Sequence, residues 1–405
     1  MARTTIKTNY LTGATPTSFI TTDAATRAAA TEGGSGGGGY ATTVTGAGPD
    51  GIDCWDFEVI AASGQKTLTM DISQKIDRQV GIWINAFEYP NIKKVSLLIT
   101  SLNFTSYFAH DITLTDIQSD GWVFITRQLS QFANQGGGLE SWDNVMTKLR
   151  IVATADAAAA ANSHIRVADV FCNLSTQPQV LFFFDDSNDT DLTEAAAYMT
   201  PLGLKGISST IVADIGNTGN LTAANLVTLQ DTHGWDIICH HADEFDVMTQ
   251  KQQYEILKEA KNYLHSLGLS KASDWVAYPG GVFNTLTKPA LREAGFKGGR
   301  STVQLAYSPA YNPDLDYLYA RGTSAGASTT AAGLLAALDD SIKERSTHAT
   351  FSHGIYVGAT GIHTDKTVFQ DYCDGVALRV NKGLVSNPTL SQWYNGLNAI
   401  RPLAT

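Results

Sequence analysis

The hydrophobic rhythm of this chain changes near residue 177. Between residues 51 and 176, short alternations of apolar and polar residues recur: Trp55-Asp56-Phe57-Glu58-Val59, Val80-Gly81-Ile82-Trp83-Ile84, Val95-Ser96-Leu97-Leu98-Ile99, Trp122-Val123-Phe124-Ile125, Leu149-Arg150-Ile151-Val152 and Ile165-Arg166-Val167-Ala168-Asp169-Val170. A period of two marks strands with one buried face. Six such runs, separated by turns rich in Gly, Asn, Asp and Ser, predict an all-β jelly-roll sandwich over residues 51–176. Before it, residues 1–50 are rich in Thr, Ala and Gly, and the run Gly33-Gly34-Ser35-Gly36-Gly37-Gly38-Gly39 reads as a flexible arm with little core.

From residue 180 onward strands alternate with helices. Val180-Leu181-Phe182-Phe183-Phe184 is an unbroken apolar run, as in a parallel strand covered on both faces. Strands are predicted at 180–185, 206–212, 235–240, 274–279, 296–301, 317–321 and 349–353. Helices are predicted at 192–202, 222–232, 249–267, 287–294, 330–345 and 367–382. Thr222 suits an N-cap, Gly268 a C-terminal stop, and Pro289 the first turn of its helix. Repeated βα units imply a parallel sheet or barrel, an α/β architecture.

Charge and composition exclude several classes. With 28 Lys+Arg against 39 Asp+Glu the net charge is −11, which lacks the basic face a nucleic-acid binder needs and suits no anionic membrane surface. No apolar stretch of about 18 residues is long enough to cross a membrane. The first ten residues lack the apolar core of a secretory signal, so the chain is expected to stay inside or to leave by another route, such as within a virus particle. Cys54, Cys172, Cys239 and Cys373 form no CxxC pair, which argues against a cysteine zinc site and for small buried thiols.

The candidate chemistry lies at predicted strand ends, where active sites of parallel α/β folds gather. Asp185 and Asp186 follow the apolar run, and adjacent carboxylates need a metal ion or an arginine beside them. His240 ends another strand, with Glu244 four residues on; in a helical turn the two would share a face and could grip one ion. His241 is the alternative to Glu244 in that role. Tyr278-Pro279-Gly280-Gly281 is a side-chain-poor turn whose backbone N–H could meet a developing oxyanion. Phe351-Ser352-His353 ends a further strand on an imidazole. Together these residues suit metal-assisted hydrolysis of an acyl group. Tyr278, Tyr307, Tyr311 and Trp393 are candidates for stacking on sugar rings.

In the order and spacing of these motifs, residues 179–405 resemble the polysaccharide deacetylases (carbohydrate esterase family 4, the NodB homology domain). Phe183-Phe184-Asp185-Asp186-Ser187 is similar to the family's Thr-Phe-Asp-Asp-Gly. His240-His241-Ala242-Asp243-Glu244 stands for His-Ser/Thr-x-x-His, with Glu244 replacing the second histidine. Tyr278-Pro279-Gly280-Gly281 and Ser352-His353-Gly354-Ile355 resemble the later motifs. The resemblance implies a distorted (β/α) barrel and a divalent metal cofactor, with zinc favoured, held by Asp186, His240 and Glu244. It also implies Asp185 as base, the Gly280 N–H as oxyanion donor and His353 as acid. The family arginine that orients the base is absent, Ala277 standing in its place, and Arg300 is the expected substitute. Tyr278 and Trp393 are the expected substrate-binding aromatics. The sandwich resembles carbohydrate-binding modules in its pattern of strands.

The resulting expectation is a two-domain enzyme that removes N-acetyl groups from a polysaccharide, with no nucleic-acid or membrane partner. It is expected in a virion or outside the cell, as in a phage tail protein, a setting that favours a homo-oligomer. The alternatives are a non-catalytic glycan-binding adhesin or tail protein, and an O-acetyl esterase.

Overall fold

The computed structural model describes residues 17–18, 30–35, 41–48, 53–59, 64–77, 79–85, 91–113, 122–157, 162–174, 178–284, 286–302, 321–343 and 347–398. These divide into two compact units that part in sequence near residue 177.

The first unit is an antiparallel sandwich of two six-stranded sheets. One runs in the order Ala41–Val44, Cys54–Val59, Ser163–Leu174, Gln79–Asn85, Trp122–Arg127, with Thr17–Ser18 also pairing with Ser163–Leu174. The other runs Ala133–Gly136, Ser106–Thr113, Ile92–Thr100, Val145–Ala155, Gln65–Lys75, Thr31–Ser35. Inward residues of both sheets, among them Phe57, Ile82, Leu97, Ile151 and Val167, form one core. Trp122 is buried, and its Nε1 donates to the Ala47 carbonyl at 3.1 Å.

The glycine-rich segment departs from the flexible arm expected of it. Thr31–Ser35 pairs with Gln65–Lys75, Ala41–Val44 pairs with Cys54–Val59, and Ala41 is buried in the core. Glycine serves close approach here, since a Cβ on Gly33 would stand 2.8 Å from Thr67 Oγ1. Residues 36–39 of the run lie outside the described residues.

The second unit is built on seven parallel strands: β1 (Gln179–Asp185), β2 (Ile207–Ile211), β3 (Asp236–His240), β4 (Trp275–Ala277), β5 (Gly298–Arg300), β6 (Arg321–Ser324) and β7 (Thr347–Ser352). Their order is β5-β4-β3-β2-β1-β7-β6. Helices include Ala223–Asp231, Gln250–Ser266, Thr287–Glu293, Ala331–Lys343, Lys366–Asn381 and Leu390–Asn398. Thr222 and Thr249 cap the first two through reciprocal bonds with Asn225 and Gln252. The strand expected at 317–321 falls mostly outside the described residues; β6 begins at Arg321.

Strand pleat sorts the residues of β1 between two faces. Val180, Phe182 and Phe184 join Leu226, Leu257, Leu334 and Phe369 in the core beneath the helices. Leu181, Phe183 and Asp185 take the inner face. In β3 the division repeats, with Ile237 and Cys239 toward the helices and Ile238 and His240 inward.

The inner face is strongly curved. In a flat sheet β5 would lie four strand spacings, ~19 Å, from β1 and ~24 Å from β7. The Arg300 guanidinium, at the end of β5, instead lies 5.1 Å from the Phe183 ring centroid on β1 and 4.9 Å from that of Phe351 on β7. The sheet therefore curls until β5 faces β1 and β7. Among the described residues β5 and β6 do not pair with each other. Among the described residues the form is a curled parallel sheet.

Packing where β2 begins leaves no spare volume. A Cβ on Gly206 would stand 2.8 Å from both the Phe184 and Trp235 rings, which stack with centroids 4.8 Å apart. Gly206→Ala is expected to cost about 1–3 kcal/mol. Urea unfolding of the variant beside the parent chain measures the loss.

Candidate functional site

The carboxyl end of β1 turns sharply. Asp186 and Ser187 both have positive φ, 71° and 55°, a conformation costly for residues with a Cβ. Side chains and backbone around the turn hold it. The Ile211 N–H donates to Ser187 Oγ at 2.8 Å, and the Leu221 N–H donates to the Ser187 carbonyl at 2.8 Å. Asn188 Nδ2 donates to the Asp185 carbonyl and Asn220 Nδ2 to that of Asp186. The turn sends Asp185 into the interior of the curl, where it is buried, and leaves the Asp186 carboxylate partly exposed.

Arg300 reaches Asp185 from β5, Nη2 to Oδ2 at 2.6 Å, and is itself 2% exposed. Its guanidinium lies by the Phe183 and Phe351 rings, which adds cation–π attraction to the ion pair. Burial alone would push the Asp185 carboxyl up. The charge of Arg300, then His240 and His353, outweighs it and holds the carboxyl below the ordinary aspartate value. The Ser209 hydroxyl on β2 adds a smaller pull in the same direction.

Two imidazoles flank Asp186. His240 Nε2, at the end of β3, lies 3.3 Å from Oδ1, and His353 Nε2, just past β7, lies 3.6 Å from Oδ2. His240 Nδ1 donates to the Ala277 carbonyl at 2.8 Å. A carbonyl only accepts, so this nitrogen carries the proton and Nε2 is turned toward Asp186. His353 Nδ1 is buried with no hydrogen-bond partner.

Glu244 does not join this group. The chain leaves β3 in an irregular loop, so residues 240 and 244 do not share a helical face. The Glu244 side chain is folded over the turn after β4, and a Cβ on Gly280 would stand 2.5 Å from its Oε1. Gly280 is exposed with φ 59°, so the turn needs glycine for its backbone conformation as well as for this contact. His241 is occupied locally, its Nδ1 accepting from the Asp243 N–H at 3.0 Å. Among the described residues no group of three or more His, Cys, Asp or Glu is assembled closely enough to hold an ion. Asp186 and His240 alone fit a divalent cation: an oxygen and an oriented nitrogen meet at a partly exposed point.

The two expected sugar-stacking aromatics are core residues. Tyr278 is 1% exposed, packed against Phe283 and Phe245 at 5.1 and 6.3 Å between ring centroids. Trp393 is 3% exposed, and its Nε1 donates to Thr347 Oγ1. Thr347 opens β7, whereas His353 follows its other end, so Trp393 belongs to the opposite end of the sheet. Tyr307 and Tyr311 lie outside the described residues.

Sequence reading missed Asp191. It follows the β1 turn, is 0% exposed, and accepts from Ser208 Oγ at 2.9 Å. Its Oδ1 has no hydrogen-bond partner. Burial pushes its carboxyl well up; the Ser208 hydrogen bond opposes this, and the nearby charges of Asp185, Asp186 and Asp189 add to the rise. The available signal was its spacing, five residues beyond Asp186 where the helix after β1 begins. Nothing in the residue type marks burial.

Two stability changes follow. Arg300→Met leaves Asp185 as an unpaired buried charge and is expected to cost about 3–5 kcal/mol, most of it recovered when Asp185→Leu is added. Denaturant midpoints of the two single variants and the double variant measure this. For Asp191 the folded pKa exceeds the unfolded one, so folding binds the proton more tightly. Its penalty is absent below about pH 3.9, the unfolded value, and grows as pH rises above it. Asp191→Asn keeps an acceptor for Ser208 and cannot ionise. Its melting temperature should match the parent's near pH 3.5 and exceed it at pH 7.

No family model matches the chain, and no curated protein matches it. Solved structures similar to it include a deacetylase from Streptococcus pyogenes in complex with acetate, 22% identical with TM-score 0.30, covering 32% of this chain. The chain spans 58% of that protein's length. A family 4 acetyl xylan esterase from Clostridium thermocellum in complex with a cobalt ion is 13% identical with TM-score 0.38, covering 54% of this chain and 90% of that one. A family 11 carbohydrate-binding module from Clostridium thermocellum is 13% identical with TM-score 0.28, covering 36% and 89%. At these scores the likeness assigns no function to the chain.

Proposed function

We propose that the second unit hydrolyses acetyl groups from a polysaccharide, the N-acetyl amide being the favoured bond. One observation carries the reading. A buried Asp185–Arg300 pair stands directly beside Asp186, which faces His240 and His353, all at the carboxyl ends of β1, β3, β5 and β7.

Asp186 and His240 would hold a divalent ion, with zinc favoured, which when bound would make a water more acidic and polarise the acetyl carbonyl. Asp185 is the proton acceptor. Arg300 occupies its Oδ2 and keeps it ionised, which leaves Oδ1 to take the proton. As the water oxygen bonds to the carbonyl carbon, its proton passes to Asp185. The Gly280 N–H, on an exposed turn, is the candidate donor to the oxygen that becomes negative. His353 gives a proton to the departing nitrogen as the C–N bond breaks, leaving acetate and a free amine. The sandwich serves to hold the glycan.

The alternative of an O-acetyl esterase uses the same residues with an alcohol as leaving group. The adhesin alternative needs no proton acceptor, and a buried ion pair maintained beside two imidazoles favours the enzyme over it. Acetate release from a panel of N- and O-acetylated glycans tests the reading. The parent chain should release acetate, and Asp185→Asn should lower kcat/KM about 100- to 10,000-fold. The chain should also carry about one tightly bound divalent ion, lost in Asp186→Ala. A metal-free chain that binds glycan and releases no acetate would establish the adhesin.

A further inference from the structure

With Tyr278 and Trp393 in the core, the site as described lacks a surface on which a sugar could rest. An exposed aromatic does stand at its rim. Tyr356 follows His353 by three residues and is 40% exposed, whereas its neighbour Ile355 is buried in the helix-side core.

The position of the Tyr356 ring is fixed from several sides. Its hydroxyl end lies against Gly354, where any Cβ would collide with Cε2, Cζ and the hydroxyl. The His363 ring meets it edge-on, with centroids 5.1 Å apart and planes at 89°. Its hydroxyl end lies beside Thr190, and Thr190 Oγ1 accepts from the Ile355 N–H at 3.1 Å. Tyr356 thus bridges the segment after β1, which carries Asp186, and the segment after β7, which carries His353. Burial and the charges of Asp189 and Asp191 push its hydroxyl pKa up, so the ring stays a neutral phenol in the physiological range. An aromatic held in place yet 40% exposed, three residues from His353, presents contact area with little side-chain entropy left to lose.

We propose that Tyr356 is a stacking platform for a pyranose ring of the polysaccharide, the one adjoining the acetylated sugar. The proposal rests on the deacetylase reading for the location of that sugar, and extends it to the glycan: recognition covers at least two residues of the polymer. Exposed Val357 and Ile362, on the same loop, continue the apolar rim outward.

The test compares Tyr356→Ala and Tyr356→Phe with the parent on acetylated oligosaccharides and on 4-nitrophenyl acetate, a substrate with no second ring. Tyr356→Ala should raise KM for the oligosaccharide about tenfold with kcat within about twofold. Tyr356→Phe should stay near the parent, and the small ester should be turned over alike by all three. An unchanged oligosaccharide KM in Tyr356→Ala overturns the platform, as does an equal loss on the small ester. If the parent releases no acetate from any glycan, the deacetylase reading fails on that result alone. Calorimetry of the same oligosaccharides with the three full chains then decides the platform, because any contribution of the sandwich is common to them. Weaker binding by Tyr356→Ala alone supports it; equal binding, or none by the parent, overturns it.

Discussion

The ion pair between Asp185 and Arg300 ties the geometry of the second unit to its chemistry. Its partners belong to strands separated by three others in the sheet order, so the pair can form only if the sheet curls. Conversely, a curled sheet that places Asp185 inside needs a positive group there, because an isolated buried carboxylate would cost several kcal/mol or take up a proton. Phe183 and Phe351 flank the guanidinium and exclude water from the pair. Their sequence neighbours, Asp185 on one strand and His353 beyond the other, are thereby set at fixed positions above this layer.

Much of this arrangement was legible in the sequence because it follows from period and position. Alternating residues marked the sandwich strands and an unbroken apolar run marked β1. Thr222 stands before its helix as a cap. Candidate residues at strand ends could be picked out because a parallel sheet gathers those ends on one side. Charge alone called for a cation beside the two adjacent carboxylates; that Arg300 supplies it came from the resemblance to the deacetylase motifs.

What was not legible depended on tertiary placement. The Gly-rich stretch reads as flexible by composition, yet glycine is what permits close approach of backbone to the neighbouring strand at Thr67. Tyr278 and Trp393 look like platforms because aromatics are amphipathic, but residue type does not say which face of the sheet, or which end, a ring will take. Trp393 is bonded to the first residue of β7 and so lies at the wrong end. Glu244 was assigned by the i, i+4 rule, which holds only within a helix; here the chain leaves β3 as a loop. Asp191 carries no sequence mark of burial, since its neighbours Thr190 and Thr193 are as polar as any surface segment.

The charge balance at the carboxyl ends of the strands bears on what the site must accommodate. Asp185 is neutralised by Arg300. Burial pushes the Asp191 carboxyl well up, so its charge is disfavoured there. Asp186 is flanked by two imidazoles, and Glu244 extends its carboxylate over Gly280, the turn proposed to receive a developing negative charge. A second negative charge so close would oppose an oxyanion rather than stabilise it. A cation held by Asp186 and His240 would reverse that opposition, and the exposed Glu244 could then lie near it without being a direct ligand. In this arrangement Glu244 and Gly280 depend on each other, because any larger residue at 280 would displace the carboxylate.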